Sequence, residues 1–218
     1  VLLAAVLADA AQEPVLPFDP LYARAFAALT QASYCGPDGG LLNWSCDACR
    51  DAGFDIVPGT VRFVEKTELS QHNSTSAFVA RVAVPDAPSS DGCVIAFRGS
   101  ETLTNWIRDS QLWPRSVPFE WCDGCEIEHG FAEIVQNVSP KLIRTLAEIG
   151  CVPEKQASAA RGTTSSVYVT GHSLGAAIST LAMCFLGEAG FNIKLSYNFE
   201  SPRVGNAKFA AVFDKEFA

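Results

Sequence analysis

Residues 167–176 read Val-Tyr-Val-Thr-Gly-His-Ser-Leu-Gly-Ala, and this stretch restricts the chain to few folds. A run of strand formers stops at Gly171-His172-Ser173-Leu174-Gly175, and a small apolar helix pattern, Ala176-Ala177-Ile178, follows at once. That order is the G-x-S-x-G nucleophile elbow: a strand enters, turns sharply and leaves as a helix, with one serine hydroxyl at the apex. Gly171 and Gly175 are needed because the tight turn leaves no room for a Cβ beside the strand and helix. Ser173 is thereby placed over a helix N-terminus, where unpaired N–H groups and the dipole favour the negative charge that develops in acyl transfer. The bare pentapeptide recurs by chance; the strand before it and the helix after it make it specific.

The 218 residues are 48% apolar, enough for one domain with a sizeable core. A net charge of −8 with no basic run argues against nucleic-acid binding, which needs clustered Lys and Arg. The first residue is Val and the only methionine is Met183, so a fragment or a processed form is expected. Residues 1–10 (V-L-L-A-A-V-L then Ala8-Asp9-Ala10) suit the end of a signal peptide with an A-x-A cleavage site, or else a plain N-terminal helix turn. No stretch is long and apolar enough for a membrane span.

Eight cysteines, at 35, 46, 49, 93, 122, 125, 151 and 184, fit an extracellular, disulfide-bearing protein. Count alone does not give their pairing. Cys46-x-x-Cys49 and Cys122-x-x-Cys125 together have the composition of a zinc site. Each pair sits in a Gly/Asp/Ser-rich loop, however, and two local loop disulfides are the better reading in an exported protein. Cys93 and Cys184 lie in apolar surroundings and read as core thiols. Asn43-Trp44-Ser45 and Asn73-Ser74-Thr75 are acceptor sequences for N-glycans; Asn137-Val138-Ser139 is a poorer one because Pro140 follows.

Along the chain, Asp19-Pro20 predicts a helix start, with Leu21, Ala25, Ala28, Leu29 and Ala32 on a core-facing side and a stop near Cys35-Gly36-Pro37. Residues 36–60, with five Gly and two Pro, predict an irregular stapled loop. Residues 61–64 and 77–84 are strand-like, the second with Phe78, Ala80, Val82 and Val84 on one face. Turn residues 85–92 and the apolar run 93–97 then predict a hairpin. Residues 102–109 suit a short helix, 111–128 a loop-rich stretch, and 131–149 a helix interrupted or kinked at Pro140. A surface loop precedes the elbow, a buried helix runs to about Gly187, a strand covers 194–199, and a last helix starts near Ala207. Strands alternating with helices in the second half indicate parallel α/β winding after an antiparallel hairpin.

Three blocks in order, Phe97-Arg98-Gly99-Ser100 with Asn105-Trp106-Ile107, the elbow, and residues 199–206, resemble the class 3 (fungal-type triacylglycerol) lipase family of the α/β-hydrolase superfamily. Weaker similarity extends from Tyr34-Cys35 to about Phe209. The resemblance implies an α/β-hydrolase domain over residues 11–218, with a mostly parallel central sheet, an N-terminal antiparallel hairpin and an incomplete C-terminus. It also implies Ser173 as nucleophile and the N–H groups of Leu174 and Ser100 as the oxyanion hole. Residues 102–109 match the family's lid, carrying Leu103, Trp106 and Ile107, with Leu103 and Trp106 meeting lipid; the same residues equally suit an ordinary core-packed helix. Arg98 reads as a buried structural donor behind the elbow, and His172 as structural rather than the base. The family has H-x-G-F before its long helix, whereas Glu128-His129-Gly130-Phe131 places the histidine one position later, so no role is carried over to His129.

A serine needs a base, and the base a carboxylate. No histidine follows Ser173 in this sequence, and the resemblance places the catalytic Asp and His beyond Ala218. Glu200 stands after a strand, where catalytic acids sit, but an acid without a histidine does not activate serine; Asp214 reads as surface. The expectation is a secreted, monomeric serine ester hydrolase of lipid esters, with no metal or organic cofactor, whose 218-residue piece has little activity of its own. A phospholipase, a feruloyl-type esterase and a non-catalytic lipid-surface binding protein are the alternatives.

Overall fold

The computed structural model describes residues 18–50, 53–68, 74–83, 91–100, 114–116, 122–157, 159 and 163–217. The N-terminal ten residues, residues 84–90, the lid candidates Leu103, Trp106 and Ile107, and Asn73 lie outside them, whereas Gly92, expected in the turn, opens a strand.

Helix α1 (Pro20–Ala32) starts where Asp19 caps it: the carboxylate accepts from the Leu21 and Tyr22 amides at 2.9 and 3.1 Å. Such a cap is worth about 1 kcal/mol. Its core face carries Ala25, Ala28, Leu29 and Ala32 as expected, and Phe26, which is fully buried. Leu21, expected on that face, is instead 78% exposed: it sits in the first turn, before the helix passes over the sheet. A short π-helical turn (Pro37–Leu41) and helix α2 (Asp47–Arg50) carry the loop stapled by Cys46–Cys49.

Six strands form the main sheet: β1 (Asp55–Ile56), β2 (Arg62–Glu68), β3 (Ser74–Ala83), β4 (Gly92–Phe97), β7 (Ser166–Gly171) and β8 (Asn192–Ile193). β3 and β4 pair antiparallel, as the hairpin reading predicts, from Ala77↔Phe97 to Val82↔Gly92. β1 and β2 also pair antiparallel with β3, while β4–β7 and β7–β8 are parallel.

Side chains alternate across this sheet into two cores. Ala77, Val79, Cys93, Ile95, Phe97, Val167 and Val169 face helices α3 (His129–Glu148) and α5 (Leu174–Glu188). Phe78, Ala80, Val82, Val94, Ala96 and Tyr168 face α1 and the stapled loop. Both faces being covered, β4 and β7 are apolar without alternation. Each fully buried phenylalanine (Phe26, Phe78, Phe97) contributes roughly 2–3 kcal/mol from area burial alone.

The structure differs from the sequence expectations at four further places. Pro140 does not interrupt α3, which runs as one helix of 20 residues, capped at its start by Glu128, which accepts from the Phe131 amide at 2.9 Å. The stretch 111–128 contains a small two-stranded sheet, β5 (Pro114–Ser116) with β6 (Glu126–Glu128). Cys93 is not a core thiol: the chain leaving α3 returns beside the start of β4, and Cys93 is bonded to Cys151 with Cα atoms 6.4 Å apart. Residues 194–199 are not a regular strand: the Lys194 amide still donates to the Val167 carbonyl at 2.9 Å, and beyond it side chains replace the ladder. The Ser196 hydroxyl accepts from the Val169 amide at 3.0 Å and the Thr170 hydroxyl donates to the Tyr197 carbonyl at 2.6 Å. The chain rejoins β7 only at Phe199, opposite His172.

Helix α4 (Glu154–Ala157) is a surface turn, and α6 (Ala207–Phe217), whose Phe209 amide donates to the Asn206 side chain at 2.9 Å, closes the described chain with Asp214 exposed. Cys184 is a buried free thiol, and burial pushes it up to about 12. Cys122 and Cys125 are bonded, as are Cys46 and Cys49; four sulfurs in two disulfides are not four zinc thiolates.

Candidate active site

β7 ends at Gly171 and α5 begins at Leu174, leaving two residues to reverse the chain. Ser173 takes φ 56° and ψ −122°, a backbone conformation L-residues avoid, at a cost on the order of 1–3 kcal/mol. Surrounding bonds hold it there. Its amide donates to the Phe199 carbonyl at 2.9 Å, its carbonyl accepts from Ala176, and the Phe199 amide donates to the Gly171 carbonyl at 3.0 Å.

The two elbow glycines are set by contact distance. A Cβ on Gly171 would overlap the Gly175 carbonyl and come 2.8 Å from the Ala176 nitrogen. A Cβ on Gly175 would overlap the Phe97 carbonyl and stand 2.9 Å from the Arg98 carbonyl carbon. The N-terminus of α5 is therefore pressed against the end of β4, beside the Arg98-Gly99-Ser100 loop. Leu174 opens the helix, so its N–H has no acceptor within it.

That loop is anchored on several sides. The Arg98 amide donates to the Ser76 carbonyl at 2.9 Å, and the Thr75 hydroxyl to the Arg98 carbonyl at 3.2 Å. Gly99 leaves no space for a Cβ, which would overlap the Tyr34 hydroxyl and lie 2.8 Å from the His172 carbonyl oxygen. Ser100 follows immediately and is half-buried. Arg98 is half-buried too, with its guanidinium 5.9 Å from the centre of the Tyr34 ring, a cation–π contact that the expected buried donor role did not include.

His172 points away from the elbow apex, toward Tyr34 and Glu200. Its Nδ1 lies 2.8 Å from the Tyr34 hydroxyl and its Nε2 3.2 Å from a Glu200 carboxylate oxygen. Glu200 thus has the histidine partner that the sequence did not reveal. It also adopts a left-handed φ of 51° directly after Phe199. Nothing in the sequence selects Tyr34 for this cluster, since it lies 138 positions from His172. His129 is the first residue of α3 and takes no part in the cluster.

Among the described residues, the sulfurs of Cys35, Cys46 and Cys49 lie within 4.8 Å of one another, as metal ligands would. Two of the three are joined in a disulfide, which removes the thiolates a metal needs.

A mixed sheet covered on both faces, with a strained serine between a parallel strand and a helix N-terminus, defines the α/β-hydrolase fold. Residues 94–218 match the family model for lipase (class 3), and the chain belongs to that family. It is 37% identical over 117 residues to the secreted mono- and diacylglycerol lipase A of Penicillium cyclopium, covering 54% of this chain and 35% of that protein. It is 31% identical over 190 residues to a lipase of Rhizomucor miehei, covering 85% of this chain and 46% of that protein. The solved mono- and diacylglycerol lipase of Aspergillus oryzae superimposes with a TM-score of 0.61 at 28% identity, over 92% of this chain and 69% of that one. The chain spans between a third and a half of the length of the two sequence relatives.

Proposed function

We propose that the protein carrying this chain is a secreted, monomeric serine ester hydrolase acting on acylglycerols, with Ser173 as its nucleophile. The observation that carries this reading is the strained Ser173 at the start of α5, backed by a helix N-terminus and flanked by the Arg98–Ser100 loop. In this mechanism the Ser173 Oγ attacks the ester carbonyl carbon as a base takes its proton. The resulting oxyanion receives hydrogen bonds from the Leu174 and Ser100 N–H groups, aimed where charge develops. Collapse expels the alcohol with the proton from the base, leaving an acyl-enzyme; water then attacks and releases the fatty acid. His172 is committed to Tyr34 and Glu200, so the reading assigns the base and its carboxylate to residues beyond Ala218. Leu103, Trp106 and Ile107 would form the lipid-facing side of a lid. Acyl transfer of this kind uses no metal or organic cofactor.

The test is labelling by a serine-directed fluorophosphonate, together with hydrolysis of di- and triacylglycerol by the intact protein. Covalent mass on the Ser173 peptide, and loss of both signals in Ser173→Ala, are expected. Ester cleavage that survives Ser173→Ala would refute the assignment. Lipid-surface binding with neither labelling nor cleavage would establish the non-catalytic alternative, and preference for phosphatidylcholine over acylglycerol would move the substrate to phospholipids.

A further inference from the structure

Three hydrogen-bond contacts run in line from Glu200 to the Arg98–Ser100 loop. Glu200 faces His172 Nε2 at 3.2 Å, His172 Nδ1 faces the Tyr34 hydroxyl at 2.8 Å, and the Gly99 amide donates to that hydroxyl at 3.1 Å. The chemistry of each group fixes the direction. An ionised carboxylate only accepts, so the contact at Nε2 requires an N–H there. A neutral imidazole with its proton on Nε2 leaves Nδ1 bare, and a bare ring nitrogen accepts. Tyr34 therefore gives its single proton to Nδ1, while a lone pair on its oxygen receives the Gly99 N–H. A protonated imidazole would put a second N–H on the same phenol oxygen and leave the phenol proton without this acceptor.

We propose that Glu200, His172 and Tyr34 form a one-way hydrogen-bond relay that holds the Arg98–Ser100 loop against the elbow, with His172 in its Nε2–H form. Tyr34 is then a positioning residue for ester hydrolysis, an effect that rests on the hydrolase reading above. The relay acts on the loop at Gly99, next to Ser100, so any displacement of Gly99 moves the proposed oxyanion donor with it. Carboxylate, imidazole and hydroxyl occur in the order of a catalytic triad, with a phenol in the place of serine. This phenol is a donor and not a nucleophile: burial pushes the Tyr34 hydroxyl up from its ordinary range, against smaller lowering effects of the Gly99 amide and Arg98. The Arg98 guanidinium lies over the ring face, 5.9 Å from its centre. Bonds in such a chain strengthen one another, so the exposed carboxylate at one end tightens the amide contact at the other.

The first test is a long-range ¹⁵N–¹H spectrum of the histidine rings in the labelled intact protein at pH 8, with His172 assigned from a His172→Gln variant. The expected result is the Nε2–H tautomer for His172, with the Nδ1 signal moving toward that of an unbonded ring nitrogen in Tyr34→Phe. A proton on Nδ1, or an Nδ1 signal that ignores Tyr34→Phe, would overturn the relay. Glu200→Ala is a second probe at an exposed side chain, and a shift at His172 Nε2 is expected there. The second test is kinetic, on the intact protein with a soluble short-chain ester. Tyr34→Phe should lower kcat about five- to tenfold with KM within about twofold, the loss of one well-placed hydrogen bond. An unchanged kcat with a raised KM would overturn the positioning role. Were the hydrolase reading itself to fail in the Ser173→Ala comparison, the tautomer spectra would still decide whether the relay exists.

Discussion

Gly175 and Phe97 meet backbone to backbone: a Cβ on Gly175 would overlap the Phe97 carbonyl, although the two residues belong to different elements. This contact seats the N-terminus of α5 against the end of β4. Gly175→Ala must push the helix off the strand, and overpacking against backbone costs roughly 1–3 kcal/mol. The urea midpoint, followed by tryptophan fluorescence, should fall accordingly, and an unshifted midpoint would show that the elbow has slack.

Ser173 stores strain at φ 56°, so a residue without a Cβ should relieve it. Ser173→Gly is expected to melt above Ser173→Ala, by about 1 kcal/mol in denaturant titration, while both variants lose fluorophosphonate labelling. Equal stability of the two would place the strain elsewhere.

The Cys93–Cys151 bond closes a separation of 58 residues and ties α3 to β4. Loop entropy puts its contribution at about 4 kcal/mol, against a smaller one for Cys46–Cys49, which spans three. The double variant Cys93→Ala/Cys151→Ala should therefore lose roughly two to three times as much stability as Cys46→Ala/Cys49→Ala when both are titrated with guanidinium.

Cys184 keeps its proton in the folded state to about pH 12, chiefly through burial, against an ordinary value of 9.0. Above pH 9 the unfolded chain releases this proton and the folded chain does not, so stability falls as pH rises, by up to about 1.4 kcal/mol per pH unit. Cys184→Ala should flatten the decline between pH 9 and pH 11, measured by urea titration at each pH. In the native state Cys184 should also resist iodoacetamide at pH 8 and react only after unfolding.

Of the acceptor sequences for N-glycans, Asn43 is exposed, and the Ser45 hydroxyl donates to its side-chain oxygen at 2.7 Å. Asn137 is held within α3, and the Ser139 hydroxyl is buried on the Val135 carbonyl at 2.7 Å. After passage through a eukaryotic secretory pathway, peptide mass spectrometry with and without glycosidase should find a glycan on Asn43 and none on Asn137.

The sequence alone determined whatever depends on neighbours in the chain. The elbow was legible because strand formers, two glycines, a serine and a small-residue helix must be contiguous to make that turn. The Asp19 cap and the β3–β4 hairpin were legible for the same reason. Tertiary structure decided what depends on distant partners. The period of β3 marked one buried face, but only packing between two helical layers showed that Ala77 and Val79 are buried on the other. The departure of residues 195–198 from β7 rests on a hydrogen bond to the Ser196 hydroxyl and one from the Thr170 hydroxyl that no periodicity encodes. His172 shows the contrast within one residue. Its place beside Ser173 is written in five letters of sequence, but its partners Tyr34 and Glu200 come from 138 and 28 residues away. Backbone turns are specified by local sterics, whereas hydrogen bonds between side chains are specified by the fold that brings them within reach.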